Sequence, residues 1–293
     1  MKTKTNLIVD LSNVVFIVHH SSLKKNNGEF SKEFLLFKTV QLIKYIALMY
    51  KVDGILIACD SKNVWRKDLY PEYKANRNHA TDPYYDDVKD VINDVIRFFD
   101  ECTMITTMSV NRAEADDIIA IVTQTSNAKS VILSSDKDFI QLINDKTVLY
   151  SPTSKAERVS EDREYELFEK CIRGDRGDNI PSAYPNIRSK KLQSAWYKKI
   201  NDNDNFEMVN IMETVKNGVK VSDAFNFNNS LINLTMQPDF IKERVKQSIN
   251  NIEQKKYNNS KLLRFIGEYN LKGVSDDLLK HKYLFKKCFV VDI

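Results

Sequence analysis

Nine carboxylates stand where one predicted element gives way to the next, and they are the main chemical signal in this sequence. Most of them directly follow an apolar run or open a helix-like segment. Asp10 ends the run NLIVD, and Asp60 ends GILIACD. Because the carboxyl ends of parallel strands share one edge of a sheet, distant members of the set can converge there. The full set is Asp10, Asp60, Glu114, Asp116, Asp117, Asp136, Asp138, Asp175 and Asp178.

Carboxylates that converge need compensation. Two of them about 5 Å apart, at an effective dielectric of about 20, repel each other by roughly 3 kcal/mol. A cluster of nine is therefore stable only with bound cations or protons. Hard oxygen ligands select Mg²⁺ or Mn²⁺ rather than Zn²⁺. The pattern indicates a divalent-metal centre.

The elements that must position this centre alternate between strand-like and helix-like patterns. Asp82 followed by Pro83 also predicts a helix start, with Asp82 as the N-cap. The alternation favours an α/β domain with a mostly parallel sheet and helices on both faces. The predicted strands cover 6–10, 54–59, 102–106, 130–134 and 148–150, and the predicted helices cover 33–50, 114–123 and a start within 136–144.

The character of the sequence changes near residue 160, where strand patterns fade and Lys- and Asn-rich helical patterns follow. This predicts an α/β domain over 1–160 and a smaller helical domain over 161–293. The final segment KYLFKKCFVVDI is expected to pack on the body as a strand or extended tail. A peptide that docks on a partner is the alternative.

Bulk composition excludes several classes. The net charge of +4 does not by itself indicate nucleic acid. The four cysteines form no CxxC pair, and the four histidines show no metal-ligand spacing, so neither predicts a zinc site. No apolar stretch approaches the ~18 residues of a membrane span, and the N-terminus lacks a signal-peptide pattern. A cytoplasmic location is expected.

Three acidic motifs in a fixed order are the most specific feature. EADD, SSDKDF and GDRGDNIP together resemble the 5′ nuclease family, which includes flap endonucleases, the 5′→3′ exonuclease domains of bacterial DNA polymerases and phage enzymes. The resemblance is greatest to the phage ribonuclease H branch and strongest over 6–181. It implies a PIN-like, Rossmann-like sheet, a helical arch at about 62–100 and a helix–three-turn–helix-like C-terminal module. It also implies metal-dependent hydrolysis of a phosphodiester near a 5′ end.

The resemblance assigns the carboxylates to two Mg²⁺ ions, with Mn²⁺ as a substitute. Two cations about 4 Å apart can lower the pKa of the attacking water and neutralise the leaving oxygen. Asp117 also matches a family position but ranks lower. Asp10, Asp60, Glu114, Asp116 and Asp136 match the first ion's ligands, and Asp138, Asp175 and Asp178 match those of the second.

A basic, aromatic loop follows Asp60 and resembles the entrance of the family's arch. Lys74 and Arg77 are three residues apart, so on a helix they would share a face and could bind one phosphate. Tyr73 could stack on an unpaired base, and the alternative is a solvated basic helix with half-buried tyrosines. Tyr70, Arg66 and Lys67 complete the candidate strand-binding residues.

Residues 182–200 supply a candidate duplex-binding surface, with Arg188, Lys190 and Lys191 able to grip phosphates without reading sequence. Here the chain departs from the family, because no glycine lies between 178 and 217. This argues against the family's glycine-rich hairpin and its K⁺ site. The expected partners are a DNA or RNA–DNA duplex with a 5′ end or flap, and a sliding clamp or single-strand-binding protein. A monomer is expected.

Two other functions fit parts of the pattern. A PIN-like ribonuclease for single-stranded RNA would share the acidic pocket but needs neither the arch nor a second domain. A non-catalytic DNA-structure binder on the same fold would be expected to have lost some of the acids, and none is lost here. Cleavage of a 5′-flap duplex, compared with cleavage of single-stranded RNA, separates the three hypotheses.

Overall fold

The computed structural model describes residues 3–25, 27–77, 82–271 and 280–291. The chain forms two compact units. The first contains Met1–Val64, His79–Arg158 and Asp239–Ile293, and the second contains Trp65–Asn78 and Val159–Pro238. The change of unit after Arg158 lies next to the predicted boundary. The division differs from the prediction in two places, because 65–78 joins the second unit and the C-terminal segment joins the first.

A mostly parallel sheet lies at the centre of the first unit. Its strands run in the order β3-β2-β1-β4-β5-β6, and only β6 pairs antiparallel. The central residue Val9 pairs with Ile57 on one side and Leu133 on the other. Apolar runs predict such strands because helices cover both faces of a parallel sheet. The strands are β1 (Thr5–Asp10), β2 (Gly54–Cys59), β3 (Thr106–Ser109), β4 (Lys129–Leu133), β5 (Thr147–Ser151) and β6 (Ala156–Glu157).

Helices account for most of the remaining described chain. The helices α1, α2, α4, α5, α10 and α11 belong to the first unit, and α3 and α6–α9 belong to the second. In chain order they are α1 (Leu11–Lys25), α2 (Lys32–Met49), α3 (Arg66–Leu69), α4 (Tyr85–Cys102), α5 (Ala115–Thr125), α6 (Arg163–Arg173), α7 (Ser189–Asn201), α8 (Phe206–Glu213), α9 (Val221–Ile232), α10 (Asp239–Asn250) and α11 (Asn259–Glu268). The expected α/β class, with a mostly parallel sheet flanked by helices, is confirmed. No described helix is long and apolar enough to cross a lipid bilayer.

Two local expectations were wrong. The predicted strand over 102–106 begins only at Thr106, because α4 continues to Cys102. Helix α4 begins at Tyr85, two residues later than Asp82-Pro83 predicted. The Asp82 side chain instead accepts a hydrogen bond from the Tyr84 amide at 2.9 Å, which forms a turn ahead of the helix.

The C-terminal tail packs on the first unit. The Asn6 side chain donates to the Val290 carbonyl at 2.9 Å and accepts from the Val290 amide at 3.1 Å. Phe285 is buried edge-on against Phe98, with ring centroids 5.5 Å apart. Gly54 admits this tail, since an added Cβ would lie 2.6 Å from the Cys288 carbonyl oxygen. The C-terminal tail is therefore part of the core of the first unit, which also contains the N-terminal strand β1.

The second unit has a separate core. Phe168 stacks on Trp196 with ring centroids 4.8 Å apart, and Ile172 and Leu192 are fully buried beside them. Helix α3 is attached through Arg66, whose Nε donates to the Leu231 carbonyl at 2.9 Å. A short hairpin, β7 (Val215–Lys216) with β8 (Val219–Lys220), precedes α9.

Candidate active site

The carboxyl ends of three adjacent strands bring three of the predicted carboxylates to one edge of the sheet. Asp10 is the last residue of β1, Asp60 directly follows β2, and Asp136 lies three residues beyond β4. Because β1 pairs with both β2 and β4, these three chain ends are neighbours. Asp10 and Asp136, which are 126 positions apart in the sequence, therefore converge with Asp60 in the first unit, as expected.

Hydrogen bonds hold two of these carboxylates, Asp10 and Asp60, against neighbouring elements. The Ser134 hydroxyl donates to Asp10 Oδ2 at 2.9 Å, which connects the end of β1 to the end of β4. The Ser12 hydroxyl donates to Asp60 Oδ2 at 2.8 Å, and the Ala115 amide donates to Asp60 Oδ1 at 2.9 Å. Asp60 thus lies between the first turn of α1 and the first turn of α5.

The start of α5 contributes a second group of acids. Glu114 is the N-cap residue and is buried, while Asp116 is half-buried in the first turn. Asp117 is fully buried and accepts the Glu114 amide at 3.0 Å. Acids are favourable here because the helix dipole is positive at its N-terminus. Asp117 therefore has a structural role in fixing the residue before the helix.

The electrostatics of Asp10 show that this edge carries excess negative charge. Burial, followed by repulsion from Asp60 and Asp136, raises the pKa of Asp10 from 3.8 to about 7, against the lowering effect of the Ser134 hydrogen bond. A carboxylate held this way is stabilised by a proton or a cation nearby. The donors are all carboxylate oxygens, so their chemistry fits a hard divalent cation such as Mg²⁺ or Mn²⁺.

Asp136 and Asp138 flank the start of the 3₁₀ helix Lys137–Leu142. Asp136 Oδ1 accepts the Asp138 amide at 2.9 Å, and both side chains are half-buried. The Ser135 hydroxyl lies 2.9 Å from the Ser151 hydroxyl, which joins this turn to the end of β5. The SSDKDF motif is therefore a rigid turn that holds Asp136 at the edge of the sheet.

Asp175 lies in the second unit, where GDRGDNIP forms a tight loop closed by a bridge between Asp175 and Ile180. Its carboxylate accepts the Gly177 amide at 2.7 Å and pairs with Lys170 Nζ at 2.7 Å. Burial alone would raise the pKa of Asp175, but the Lys170 ion pair and the backbone donors outweigh it and hold that pKa below its ordinary value. Asp175 is thus ionised at neutral pH.

Asp178 forms ion pairs with two basic residues of the loop that follows Asp60. Arg77 Nη2 lies 2.6 Å from Asp178 Oδ1, and Lys74 Nζ lies 3.9 Å from Oδ2. The Tyr73 hydroxyl also donates to Asp178 at 3.1 Å. The expectation that Lys74 and Arg77 share a helix face was wrong, because 71–76 forms turns and Lys74 has a φ of 58°. The carboxylate of Asp178 brings the two cations together instead.

Two of the predicted strand-binding residues are placed differently from expectation. Arg66 is only 1% exposed and holds the Leu231 carbonyl, so it stabilises the second unit. Tyr73 is 2% exposed, which leaves no face for a stacked base. Tyr70 is half-buried, with its hydroxyl donating to the Asn179 carbonyl at 3.1 Å, whereas Lys67 is exposed.

The start of α7 presents an exposed basic surface. Arg188 is its N-cap residue, and Lys190 and Lys191 follow in a first turn that contains no acid. The loop before the helix makes its left-handed turns with asparagine, since Asn179 and Asn186 both have φ near 60°. Asparagine tolerates this conformation better than other non-glycine residues do. The absence of glycine therefore does not prevent tight turns here.

Sequence reasoning missed two features near the acidic edge. Asn13 Oδ1 accepts the Ser135 amide at 2.9 Å, so α1 positions the SSDKDF turn. Arg112 and Arg244 lie over the Phe240 ring, with guanidinium carbons 5.2 and 5.4 Å from its centroid. The recurrence of polar residues after each apolar run was the available signal for Asn13. Nothing local indicates the second group, because α10 lies more than 120 residues beyond the loop that it contacts.

The fold of this chain is also found in a solved nuclease structure. The fold is shared with the bacteriophage T5 flap endonuclease in its complex with DNA and metal ions, at a TM-score of 0.60 and 18% identity, covering 96% of this chain and all of that one. Residues 5–170 match the family of the 5′-3′ exonuclease N-terminal resolvase-like domain, and the chain belongs to this family.

Curated relatives agree with this assignment. A 5′-3′ exonuclease of Mycoplasmopsis pulmonis is 28% identical over 191 residues, which span 61% of this chain and 62% of that protein. The flap endonuclease Xni of a Shewanella strain is 25% identical over 187 residues, which span 60% of this chain and 68% of that protein. The chain thus spans less than two thirds of the length of the Mycoplasmopsis relative. The family recognised from the three acidic motifs is confirmed.

Proposed function

We propose that this protein is a metal-dependent, structure-specific 5′ nuclease that hydrolyses phosphodiesters near 5′ ends, as in removal of RNA primers and 5′ flaps. One observation carries the proposal. The ends of β1, β2 and β4 hold Asp10, Asp60 and Asp136 at one edge of the sheet, where burial, and after it repulsion from the other two carboxylates, raises the pKa of Asp10 to about 7. A protein gains nothing in stability from such a cluster, so its use is to bind cations.

Asp10, Asp60 and Asp136 would hold the first cation, with Glu114 and Asp116 from the start of α5. Asp138, Asp175 and Asp178 are proposed for a second cation on the strength of the family motif. Bound divalent cations would activate the attacking water and offset charge on the leaving oxygen. The hydroxyls of Ser12 and Ser134 orient carboxylate oxygens, and Asp117 positions Glu114.

Lys74 and Arg77 are proposed to bind the substrate phosphate. In the structure both pair with Asp178, at 3.9 and 2.6 Å. Arg77 is half exposed, and partly exposed ion pairs contribute only about 0–1 kcal/mol. A phosphate can therefore replace Asp178 as the partner of Arg77 at little cost. In the absence of substrate and metal, the Asp178 carboxylate holds the side chains of Lys74 and Arg77 together.

The exposed Arg188, Lys190 and Lys191 at the start of α7 are proposed to grip the duplex. Side-chain ammonium and guanidinium groups contact phosphates regardless of base sequence, so binding should weaken steeply with salt. The T5 flap endonuclease structure contains DNA, which supports a duplex substrate here. A sliding clamp or single-strand-binding protein as partner, a monomeric state and a cytoplasmic location complete the proposal.

Cleavage of three radiolabelled substrates tests the function. A 5′-flap duplex, an RNA–DNA duplex with a recessed 5′ end and plain single-stranded RNA are incubated with the full chain in Mg²⁺ or in a chelator. We expect cleavage of the first two near the 5′ end only with Mg²⁺. Equal cleavage of single-stranded RNA would favour the PIN-like ribonuclease. Tight binding of the flap substrate without cleavage, in the presence of either Mg²⁺ or Mn²⁺, would favour the hypothesis of a non-catalytic DNA-structure binder.

A further inference from the structure

A histidine-rich group lies apart from the acidic edge, where α1 meets the segment that leads into α4. His19 and His20 lie in the second half of α1, and Asp82 lies just before α4. The candidate ligand atoms of these three residues all lie within 4.8 Å of one another. We propose that His19, His20 and Asp82 form a binding site for a late first-row transition-metal ion of the Zn²⁺ class.

The distances suit such an ion. Ligand atoms about 2.0–2.1 Å from a tetrahedral Zn²⁺ are about 3.3 Å from each other. His19 Nε2 already lies 3.0 Å from Asp82 Oδ2. The His19 and His20 rings are 5.1 Å apart, and His20 is exposed. A change of His20 rotamer is therefore enough to complete three protein ligands, and solvent supplies the fourth position.

The surrounding residues hold His19 and Asp82 in place. His19 is 1% exposed and meets Phe30 and Tyr84 edge-on, with ring centroids 5.6 and 6.1 Å away. Phe30 and Tyr84 stack on each other at 4.9 Å, so the His19 ring is fixed by a rigid aromatic pair. The Tyr84 amide occupies Asp82 Oδ1, which leaves Oδ2 facing His19. Outer contacts of this kind orient the ligands of metal sites.

The ligand chemistry separates this site from the acidic edge. Two imidazole nitrogens and one carboxylate oxygen favour Zn²⁺, Co²⁺ or Ni²⁺, whereas the carboxylates at the strand ends favour Mg²⁺. A metal here would tie the segment before α4 to α1, which begins directly after Asp10. Its role would be to brace these two helices, independently of the nuclease reaction.

The test is Co²⁺ binding by the full chain in excess Mg²⁺, which occupies the carboxylates of the acidic edge. Visible absorption of Co²⁺ reports nitrogen ligation and a four- or five-coordinate geometry. We expect saturation at about one equivalent and competition by Zn²⁺. His20→Ala should weaken Co²⁺ binding at least tenfold, because it removes an exposed ligand without disturbing the core. His281→Ala, which removes a histidine from elsewhere in the chain, should bind as the wild type does.

A rescue variant separates ligation from a general effect of substitution. His20→Cys replaces one zinc ligand by another, so Co²⁺ binding should persist and gain an intense sulfur-to-cobalt band in the near ultraviolet. Far-ultraviolet circular dichroism confirms that each variant is folded. Equal binding by wild type and His20→Ala would overturn the proposal. Loss of binding in His20→Cys without the new band would overturn it as well.

Discussion

At the scale of single residues, the decisive property is the environment of each carboxylate. Asp10 is buried beside two other acids and its pKa is raised, whereas Asp175 is paired with Lys170 and its pKa is lowered. The environment of Asp10 thus favours the protonated carboxyl group, whereas the environment of Asp175 favours the carboxylate anion. This difference identifies the edge of the sheet, rather than the GDRGDNIP loop, as the place where charge compensation matters most.

The stability of the metal-free protein should reflect this. Because the folded pKa of Asp10, about 7, exceeds its unfolded value of 3.8, the folded state binds the proton more tightly. The free energy of unfolding should therefore fall as pH rises from about 4 to 7, by up to about 4 kcal/mol from this group. Above pH 7 the loss is complete.

Asp10→Asn should remove that pH dependence, raise the free energy of unfolding at pH 8 and abolish turnover. Urea unfolding in a chelator, at pH 5 and pH 8, measures the first two effects. Added Mg²⁺ should stabilise the wild type at pH 8 and have a much smaller effect on Asp10→Asn. A variant less stable than the wild type at pH 8 would contradict this account.

Lys74→Ala should slow cleavage by about 10²-fold or more, because a group that stabilises charge on the reacting phosphate is lost. Lys146→Ala, at an exposed position directly before β5 and outside the candidate site, is the matched control and should change the rate little. Single-turnover cleavage of the flap substrate measures both. Mg²⁺ binding should be unchanged in both variants, and equal rate losses would contradict a specific role for Lys74.

At the scale of elements, helix starts and tight turns hold the charged residues that we propose for the nuclease function. Helix α5 begins with Glu114 and Asp116 at the acidic edge, and α7 begins with an exposed basic turn. The loop before α7 bends through Asn186 in a left-handed conformation. Helices α5 and α7 therefore each contribute charged residues from their first turn, rather than from a whole helix face, to the proposed nuclease function.

The basic start of α7 should determine binding affinity and its salt dependence. Changing Lys190 and Lys191 together to alanine should weaken duplex binding and lower the slope of log K against log salt by about 2. Lys24 and Lys25, at the end of α1, provide a double variant with the same change in net charge. Fluorescence anisotropy over a range of KCl concentrations measures both. An unchanged slope with a slower chemical step would show that α7 does not grip the duplex.

Asn186 should be replaceable by glycine but not by alanine. At a φ of 60°, alanine is strained by roughly 1–2 kcal/mol, whereas glycine adopts this conformation freely. Asn186→Ala should lower the free energy of unfolding by about 1 kcal/mol, and Asn186→Gly should change it by less. Denaturant unfolding of the two variants gives the comparison. Equal stability of the two would argue against the left-handed turn.

At the scale of the whole molecule, the two ends of the described chain complete one unit. The tail residues Phe285 and Phe289 are buried, and Val290 is hydrogen-bonded to the side chain of Asn6 in β1. The second unit is likewise assembled from separate segments, since 65–78 binds the loop 176–179. Neither unit therefore corresponds to one continuous stretch of sequence.

Phe285→Ala should cost about 3–5 kcal/mol of unfolding free energy, because it leaves a cavity beside Phe98 in the core of the first unit. Val291→Ala, at an exposed position of the same tail, should cost little. Thermal and denaturant unfolding measure both. A loss below about 1 kcal/mol for Phe285→Ala would mean that the tail does not complete the core.

The sequence by itself determined the family, the parallel sheet and the convergence of Asp10, Asp60 and Asp136. These features follow from local patterns. An acid that directly follows an apolar strand lies at the carboxyl edge of a parallel sheet, wherever that strand stands in the chain. Only the tertiary structure decided that Tyr73 and Arg66 are buried, that Arg77 pairs with Asp178 and that His19 meets Asp82. Those contacts join residues from about 60 to 165 positions apart, and composition and periodicity carry no information about pairings at that range.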